Sequence, residues 1–278
     1  MPFVAIHGTF HIQSHAPNVR SLHFYADQSE VWSTLNGEAA ILNEQQQCRL
    51  KLQGLEGLES DYLGFQQPQA MLLESMKTFW SLLEIRSVVL QHDGRLIQEA
   101  DDGSRGFVLA RRVESDGCPV AFAFMGGSSF NDGQTVYLDG NLLRRSVNYQ
   151  LLESGWAFPD FTPSLFSDLR EELTRITRKA RQEDLGLWPF DVTQQGIALE
   201  QLSSLTERHI VLPRLFRKLI EHWKQHKHLD GLEESPCFAE QSVLLLEHAH
   251  FAHFNDLLQH RAGILRLTEA PENLVFLV

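Results

Sequence analysis

Cysteine is scarce in this sequence: Cys48, Cys118 and Cys237 are its three cysteines in 278 residues. An odd number of widely spaced cysteines favours neither a disulfide framework nor a thiolate zinc site, and it is typical of a reducing compartment. Long apolar runs are also missing, since no stretch reaches the roughly 18–20 residues that a membrane-spanning helix needs. The N-terminal residues show no basic segment followed by an apolar run of signal-peptide length. These absences predict a cytoplasmic protein with no membrane segment.

Positive charge is scarce as well, because 24 Lys and Arg stand against 36 Asp and Glu and give a formal net charge of −12. This balance argues against nonspecific binding of nucleic acid along the whole surface, so any polyanion site must be local. The remaining composition is that of a globular protein, with 43% hydrophobic and 22% charged residues. It excludes a disordered, collagen-like or coiled-coil chain and leaves one large domain or two modest ones.

The hydrophobic pattern predicts a β-rich first part into which helices are inserted. Alternating segments predict strands at Phe3–Ile12, Ser21–Tyr25, Cys48–Leu52, Gly106–Val113 and Pro119–Met125. Three- and four-residue periodicity predicts helices at 63–83, 141–153 and 163–184, the last with Ser164 as its N-cap and Asp168 in its first turns. Short strands with helices at a corner and at the end are typical of a small closed β-barrel in an α+β protein rather than of a βαβ sheet.

A polar stretch at 191–196 predicts a boundary between a domain of residues 1–190 and a C-terminal part of residues 191–278. The C-terminal part contains a basic amphipathic helix at 213–228 and apolar strands at 242–247, 264–268 and 274–278, so it is predicted to be an α+β extension or a small domain. In the helix, five basic residues stand against one acid, Glu221. Its basic face is either a solvated surface over a packed apolar stripe or a surface that contacts phosphates or a partner.

The segment from Arg49 to Glu59, RLKLQGLEGLE, resembles the first signature of staphylococcal nuclease-like proteins. In that family an arginine on a barrel strand is followed by an aspartate five residues later and a glutamate three beyond. The segments Val120–Phe124, Asn148–Trp156 and Ala180–Trp188 resemble later parts of the same family, in the same order. The resemblance covers about residues 8–191 and implies a five-stranded OB-type β-barrel with packed helices and calcium-dependent hydrolysis of DNA and RNA phosphodiesters.

The resemblance also implies which positions correspond to the family's functional residues. The general-base glutamate corresponds to Glu59, one metal-binding aspartate to Glu56, and the two catalytic arginines to Lys51 and Cys118. The second metal-binding aspartate corresponds to Arg20. A lysine lacks the planar bidentate fork of arginine and a neutral thiol supplies no charge. Arg20 reverses the charge that a cation site requires. The Ca2+ that the family binds is therefore expected to be absent from this site.

Two alternatives remain open at the level of sequence. Arg105, in Ser104-Arg105-Gly106, is a second position from which the missing arginine could come. His248, His250 and His253 form the densest histidine cluster; on a strand, His248 and His250 would share one face, as zinc ligands do. A structural or surface role is the other interpretation of these histidines.

The sequence therefore predicts a staphylococcal nuclease-like protein with a degenerate active site. We expect a non-catalytic or weakly active module that binds single-stranded nucleic acid or a protein, with Lys51, Arg217 and Lys218 as the candidate nucleic-acid contacts. The alternative is an active metal-dependent nuclease. The oligomeric state does not follow from the sequence.

Overall fold

The computed structural model describes residues 2–198, 202–228, 232, 241–261 and 263–277. In these ranges the strands are β1 (Phe3–His11), β2 (Ser21–Ala26), β3 (Asn36–Gly37), β4 (Gln47–Leu52), β5 (Gly54–Glu56), β6 (Val89–Leu90), β7 (Ile97–Glu99), β8 (Ser104–Val113), β9 (Pro119–Met125), β10 (Thr135–Val136), β11 (Phe158–Asp160), β12 (Ile197–Ala198), β13 (Ser242–Leu245), β14 (His250–His253), β15 (Leu258–Arg261), β16 (Ile264–Leu267) and β17 (Leu274–Phe276). The α-helices of the same ranges are α1 (Gln69–Leu82), α2 (Gly140–Leu143), α3 (Val147–Glu153), α4 (Ser167–Gln182) and α5 (Pro213–His226).

Five strands form a closed mixed β-barrel in the order β1-β2-β4-β9-β8, and β8 pairs back onto β1. Neighbouring strands are antiparallel except β4 and β9, which are parallel. Inward-facing apolar side chains fill the barrel, among them the aromatic Phe10 and Phe24, which pair across β1 and β2 and are fully buried. The predicted α+β fold with a five-stranded OB-like barrel is thus confirmed, and β9 spans the predicted residues.

Two glycines allow the barrel to close. Gly8 of β1 lies opposite Gly106 of β8 in the register that joins the first and last strands. A Cβ atom on Gly8 would lie 2.0 Å from the Tyr25 carbonyl oxygen, and one on Gly106 would lie 2.3 Å from the Phe124 carbonyl oxygen. Any larger residue would therefore push the neighbouring backbone apart.

The helical segment after the barrel differs from its prediction. Instead of one helix at 141–153, the chain forms α2 and α3, and the side chain of Asp139 caps α2 by accepting a hydrogen bond from the Leu142 amide. In α3 the buried Asn148 donates to the carbonyls of Gln53 and Ala121 and accepts from the Ala123 amide. Because Gln53 follows β4 and the alanines lie on β9, one side chain ties α3 to the parallel strand pair.

The chain is divided into two compact units, residues 1–53 with 76–151 and residues 54–75 with 152–278. This grouping differs from the predicted division at residue 190. The reason is strand pairing, since β5 pairs with β11 rather than with the barrel strands. The barrel lies in the first unit.

The second unit combines α4 and α5 with β5–β11 and two three-stranded sheets, β12-β16-β15 and β14-β13-β17. α4 buries Leu169, Leu173 and Ile176, and α5 buries the predicted apolar stripe that includes Phe216 and Leu219. The predicted N-cap Ser164 is wrong, because α4 begins after Phe166, which has no capping side chain. Asp168 does lie in the first turn, as predicted.

Candidate functional site

The short strand β5 places Glu56 in the interior of the second unit. Its neighbour is β11, in antiparallel register with Phe158 opposite Glu56 and Asp160 opposite Gly54. The Glu56 side chain is 1% exposed, and an ionised carboxylate at such a position requires an opposite charge and hydrogen-bond donors.

Glu59 follows three residues later, in a loop that Gln67 holds in place. The Gln67 side chain accepts a hydrogen bond from the Glu59 amide at 3.0 Å, and the Gln67 amide donates to the Glu59 carbonyl at 2.9 Å. The same side chain donates to the Val211 carbonyl, two residues before α5. Gln67 thereby connects the Glu59 loop to the segment that leads into the basic helix.

Arg217 of α5 contacts both predicted site carboxylates. Its Nη1 donates to Glu56 Oε1 at 2.7 Å and also to Glu59 Oε1. Burial opposes the charge of this guanidinium, but Glu56 and Glu59 outweigh it, so the pKa of Arg217 is raised above its ordinary value. A cation bound by both carboxylates would have to occupy the volume that this guanidinium fills.

A second ion pair lies beside the first. Arg214, one turn earlier on α5, donates through Nε and Nη2 to the two carboxylate oxygens of Asp160, at 2.7 and 3.0 Å. This bidentate fork joins α5 to β11, the partner strand of β5. We call Glu56, Glu59, Asp160, Arg214 and Arg217 the arginine–carboxylate cluster.

Lys218 follows Arg217 on α5, outside the cluster, and the sequence predicts both residues as nucleic-acid contacts. Its Nζ lies 3.1 Å from Glu221 Oε2, and the Tyr62 hydroxyl donates to the other oxygen of Glu221. Burial, together with the contact with Glu221, raises the pKa of Tyr62 to about 12. The charges of Arg217 and Lys218 are thus both directed at carboxylates of the same chain.

In the first unit Lys51 is held by the turn between β8 and β9. Its Nζ lies 2.5 Å from Glu114 Oε2 and 2.8 Å from Asp116 Oδ2. Burial lowers the pKa of Lys51, but hydrogen bonds to Asp116 and Glu114 outweigh it, so the pKa is raised. Lys51 thus remains charged, and its charge is used to fix the hairpin turn.

Cys118 lies at the end of the same turn and is buried and reduced. Arg49 donates from Nε to the Cys118 sulfur at 3.3 Å, and its Nη2 lies 3.5 Å from Asp116. The guanidinium beside Cys118, the position that corresponds to the family's second arginine, therefore belongs to Arg49 of β4. Arg49 has no predicted role in the sequence. Arg49 and Cys118 become neighbours because β4 and β9 run parallel.

The alternative position Arg105 lies at the other end of the β8–β9 hairpin from Cys118. Residue 106 pairs with Met125, whereas Val113, beside the turn, pairs with Pro119. At about 3.3 Å per residue the two ends are roughly 23 Å apart. Arg105 forms a bidentate ion pair with Asp27. These contacts disfavour Arg105 as a substitute for the second arginine.

Arg20 is exposed and lies in the bend before β2, where its carbonyl accepts a hydrogen bond from the Leu52 amide. The backbone bond places Arg20 beside the end of β4, the strand that carries Lys51. The structure thus gathers Arg20, Lys51 and Cys118 in the first unit, and Glu56, Glu59, Arg217 and Lys218 in the second.

His248 and His250 do not lie on one strand, so the one-sided pair of zinc ligands that such a strand would present is not formed. His248 lies in the turn between β13 and β14, and only His250 and His253 lie on β14. Residues three apart on a strand point to opposite faces. Within the described ranges, no group of three or more His, Cys, Asp or Glu side chains is arranged to hold a metal ion.

A cavity of about 140 Å³ in the first unit is lined by several basic groups that sequence analysis did not single out. The imidazole rings of His15 and His23 are stacked, with centroids 3.3 Å apart, and His11 Nδ1 lies 3.4 Å from Asp102 Oδ2. Burial, together with the neighbouring His15 and Arg49, lowers the pKa of His23 to about 4. We call His11, His15, His23 and Arg49 the histidine cavity.

In the part of the chain that the structure describes, no helix is long and apolar enough to cross a membrane. Neither a protein-family model nor a curated protein matches the sequence.

Proposed function

We propose that this chain is a staphylococcal nuclease-like protein with a degenerate active site, which acts as a non-catalytic binding module built on the OB-like barrel. The observation that carries the proposal is the contact of Arg217 with both Glu56 and Glu59. These are the two carboxylates that the resemblance assigns to metal binding and to activation of water.

The contact opposes both steps of metal-dependent hydrolysis. A unit charge about 4 Å from another interacts by about 4 kcal/mol at an effective dielectric constant near 20, so a cation beside Arg217 meets repulsion. A carboxylate that accepts a hydrogen bond from a guanidinium is also a weaker base than a free one. Glu59 is therefore poorly suited to take a proton from water while the contact persists.

The positive charges needed at the phosphate are also missing. Lys51 is paired with Glu114 and Asp116, and Cys118 carries no guanidinium. Removal of one group that stabilises the transition state typically lowers a rate by about 10²–10³. Two such losses predict a rate below detection in an ordinary digestion assay.

A protein is the favoured ligand of the module. The candidate nucleic-acid contacts Lys51, Arg217 and Lys218 all face carboxylates of the chain, and the formal net charge is −12. Binding of nucleic acid depends on basic groups that can replace the counterions of the phosphates. Groups already paired within the protein contribute little to that exchange.

The test is a digestion of labelled single-stranded DNA and RNA by the full-length protein in excess Ca2+ or in EDTA. We expect no cleavage above the protein-free control, and the same result for Glu59→Gln. Cleavage that requires Ca2+ and disappears in Glu59→Gln would overturn the proposal in favour of an active nuclease. Retention of uncleaved strand in the same samples, measured by gel shift, would assign nucleic acid rather than protein as the ligand.

Arg217→Lys is the matched variant for this experiment. It retains the positive charge beside Glu56 and Glu59 but removes the planar fork. If the positive charge at residue 217 blocks hydrolysis, Arg217→Lys remains inactive because a cation is still repelled. Ca2+-dependent cleavage gained in this variant would show that only the shape of Arg217 suppresses the activity, and the proposed loss of the catalytic groups would be wrong.

A further inference from the structure

Helix α4 lines a groove of about 670 Å³ in the second unit, on a surface that takes no part in the arginine–carboxylate cluster. Arg170, Thr174 and Arg178 follow one another along this groove at four-residue steps. Such residues share one face of a helix, and eight residues of helix rise about 12 Å. The groove therefore has two guanidinium groups separated by about that distance.

Arg178 is fixed in position by the opposite wall. Its Nη2 donates to Asn273 Oδ1 at 2.6 Å and to Glu247 Oε1 at 2.8 Å. Its Nε lies 3.7 Å from the buried carboxylate of Glu272, which Arg181 also contacts. Because these contacts already restrict the side chain, binding an anion would cost less conformational entropy than at a mobile arginine.

Part of the positive charge in the groove has no partner within the described ranges. Neither Arg178 Nη1 nor the Arg170 side chain makes an ion pair or hydrogen bond to another described residue. Of the four basic side chains of the lining, Arg178 is paired with Glu247, Arg175 with Glu172 and Lys179 with Glu183, and the lining also contains Glu171. The Arg170 side chain and Arg178 Nη1 are therefore the groups through which this groove can contact an anion.

The remaining lining decides between classes of anionic ligand. It contains no aromatic side chain on which a base could stack, and stacking supplies much of the affinity for single-stranded nucleic acid. Glu171 and Glu247 would also repel a continuous row of phosphates. Carboxylates four residues apart on an extended peptide are about 13 Å apart, which matches the separation of Arg170 and Arg178.

We propose that this groove binds an acidic segment of a partner protein, in extended conformation along α4. The proposal goes beyond the degenerate active site, because it concerns a different surface and does not require that nuclease activity be lost. Arg170 and Arg178 contact carboxylates of the segment, and Leu246 provides an apolar contact on the facing wall.

The test uses fluorescence anisotropy with the full-length protein and three labelled probes. The first is a peptide of about eight residues, long enough to extend about 26 Å, with glutamate at alternate positions. The second has glutamine in place of each glutamate, and the third is an oligothymidylate of similar length. We expect saturable binding of the glutamate peptide only, and weaker binding as the salt concentration rises to about 0.15 M.

Charge variants locate the binding. Arg170→Glu is expected to weaken binding of the glutamate peptide about tenfold, and Lys179→Gln about threefold, since each removes attraction at the groove. The control Arg86→Glu makes the same charge change on an exposed residue of the first unit and should leave binding unchanged. Circular dichroism spectra establish whether each variant is folded. If Arg170→Glu does not fold, the binding measured with Lys179→Gln decides the test.

Three results would overturn the proposal. The first is equal binding of the glutamate and glutamine peptides, because the recognition would then not depend on charge. The second is binding that is insensitive to both groove variants or equally sensitive to Arg86→Glu. The third is tighter binding of oligothymidylate, which would make the groove a nucleic-acid surface. None of these results depends on whether the protein cleaves nucleic acid.

Discussion

Replacing Arg217 with glutamine removes the guanidinium that contacts both Glu56 and Glu59, and we expect the main effect to be on stability. The Glu56 side chain is 1% exposed and that of Arg217 is 13% exposed, so the remaining charge stays where water has little access. Removing one partner of a buried ion pair typically costs about 3–5 kcal/mol, because the other charge remains buried. We expect the free energy of unfolding of Arg217→Gln to fall by about that amount.

Two matched variants separate this effect from a general loss of charge on α5. Lys218→Gln removes the next basic residue, whose side chain and that of Glu221 are each 26% exposed, and should cost less than about 1 kcal/mol. Glu56→Gln removes the buried charge itself and leaves Arg217 in contact with Glu59, so it should cost less than Arg217→Gln. The double variant of Arg217 and Glu56 should lose less than the sum of the single losses, since no buried charge is left at Glu56.

Urea denaturation followed by circular dichroism, at several pH values between 7 and 5, measures these differences. Protonation neutralises a buried carboxylate that has lost its guanidinium, so the deficit of Arg217→Gln should shrink as the pH falls, whereas that of Lys218→Gln should not. The reasoning is refuted if Arg217→Gln costs less than about 1 kcal/mol, or if its loss and that of Glu56→Gln are additive.

Three further predictions concern the first unit. His23 has a pKa of about 4 in the folded protein against an ordinary 6.5, so its contribution to stability is complete above pH 6.5 and is lost as the pH falls toward 4. At 1.36 kcal/mol per unit the loss is at most about 3 kcal/mol, and solvent screening at this partly exposed ring makes it smaller; in pH-dependent urea denaturation His23→Gln should flatten this dependence, and the exposed control His92→Gln should not. Gly8→Ala should lower the free energy of unfolding by about 3 kcal/mol or more, because its Cβ would lie 2.0 Å from a backbone oxygen, whereas Gly140→Ala, with open space around it, should change little. Lys51→Arg should not create Ca2+-dependent digestion of single-stranded DNA; cleavage by this variant would show that one guanidinium is enough.

The barrel could be predicted because its signals are local. Period-two alternation depends on neighbouring residues only, so β9 was predicted at its observed residues and β1, β2 and β4 within one residue at each end. Helix ends depend on weaker signals. The predicted cap Ser164 was wrong, because the chain remains extended at Phe166 before α4 begins. His248 lies in the turn that precedes β14, whereas the zinc interpretation required it on one strand with His250.

The partners of the candidate site residues could not be predicted in the same way. Arg217 and Glu56 are 161 residues apart in sequence, and a sequence pattern gives residue types without saying which distant charges meet. One signal did exist. Glu56 and Glu59 are three residues apart, as are Arg214 and Arg217, and a helix presents residues at that spacing on one face. Two acidic and two basic residues with the same spacing can pair in many ways. Only the placement of β5 and α5 in the fold shows that Arg217 contacts Glu56 and Glu59.

The same contacts explain stability and argue against catalysis. A catalytic carboxylate must remain able to bind a metal or a proton, and a catalytic guanidinium must remain able to contact a phosphate. Here Glu56 and Glu59 share Arg217, and Lys51 is shared by two acids of the β8–β9 turn. Removing Arg217 would expose the carboxylates to a cation, but it would not supply the guanidinium groups that Lys51 and Cys118 lack. Under the proposed function, hydrolysis would therefore require several coordinated substitutions, and those at Arg217 and Lys51 would first break contacts within the fold.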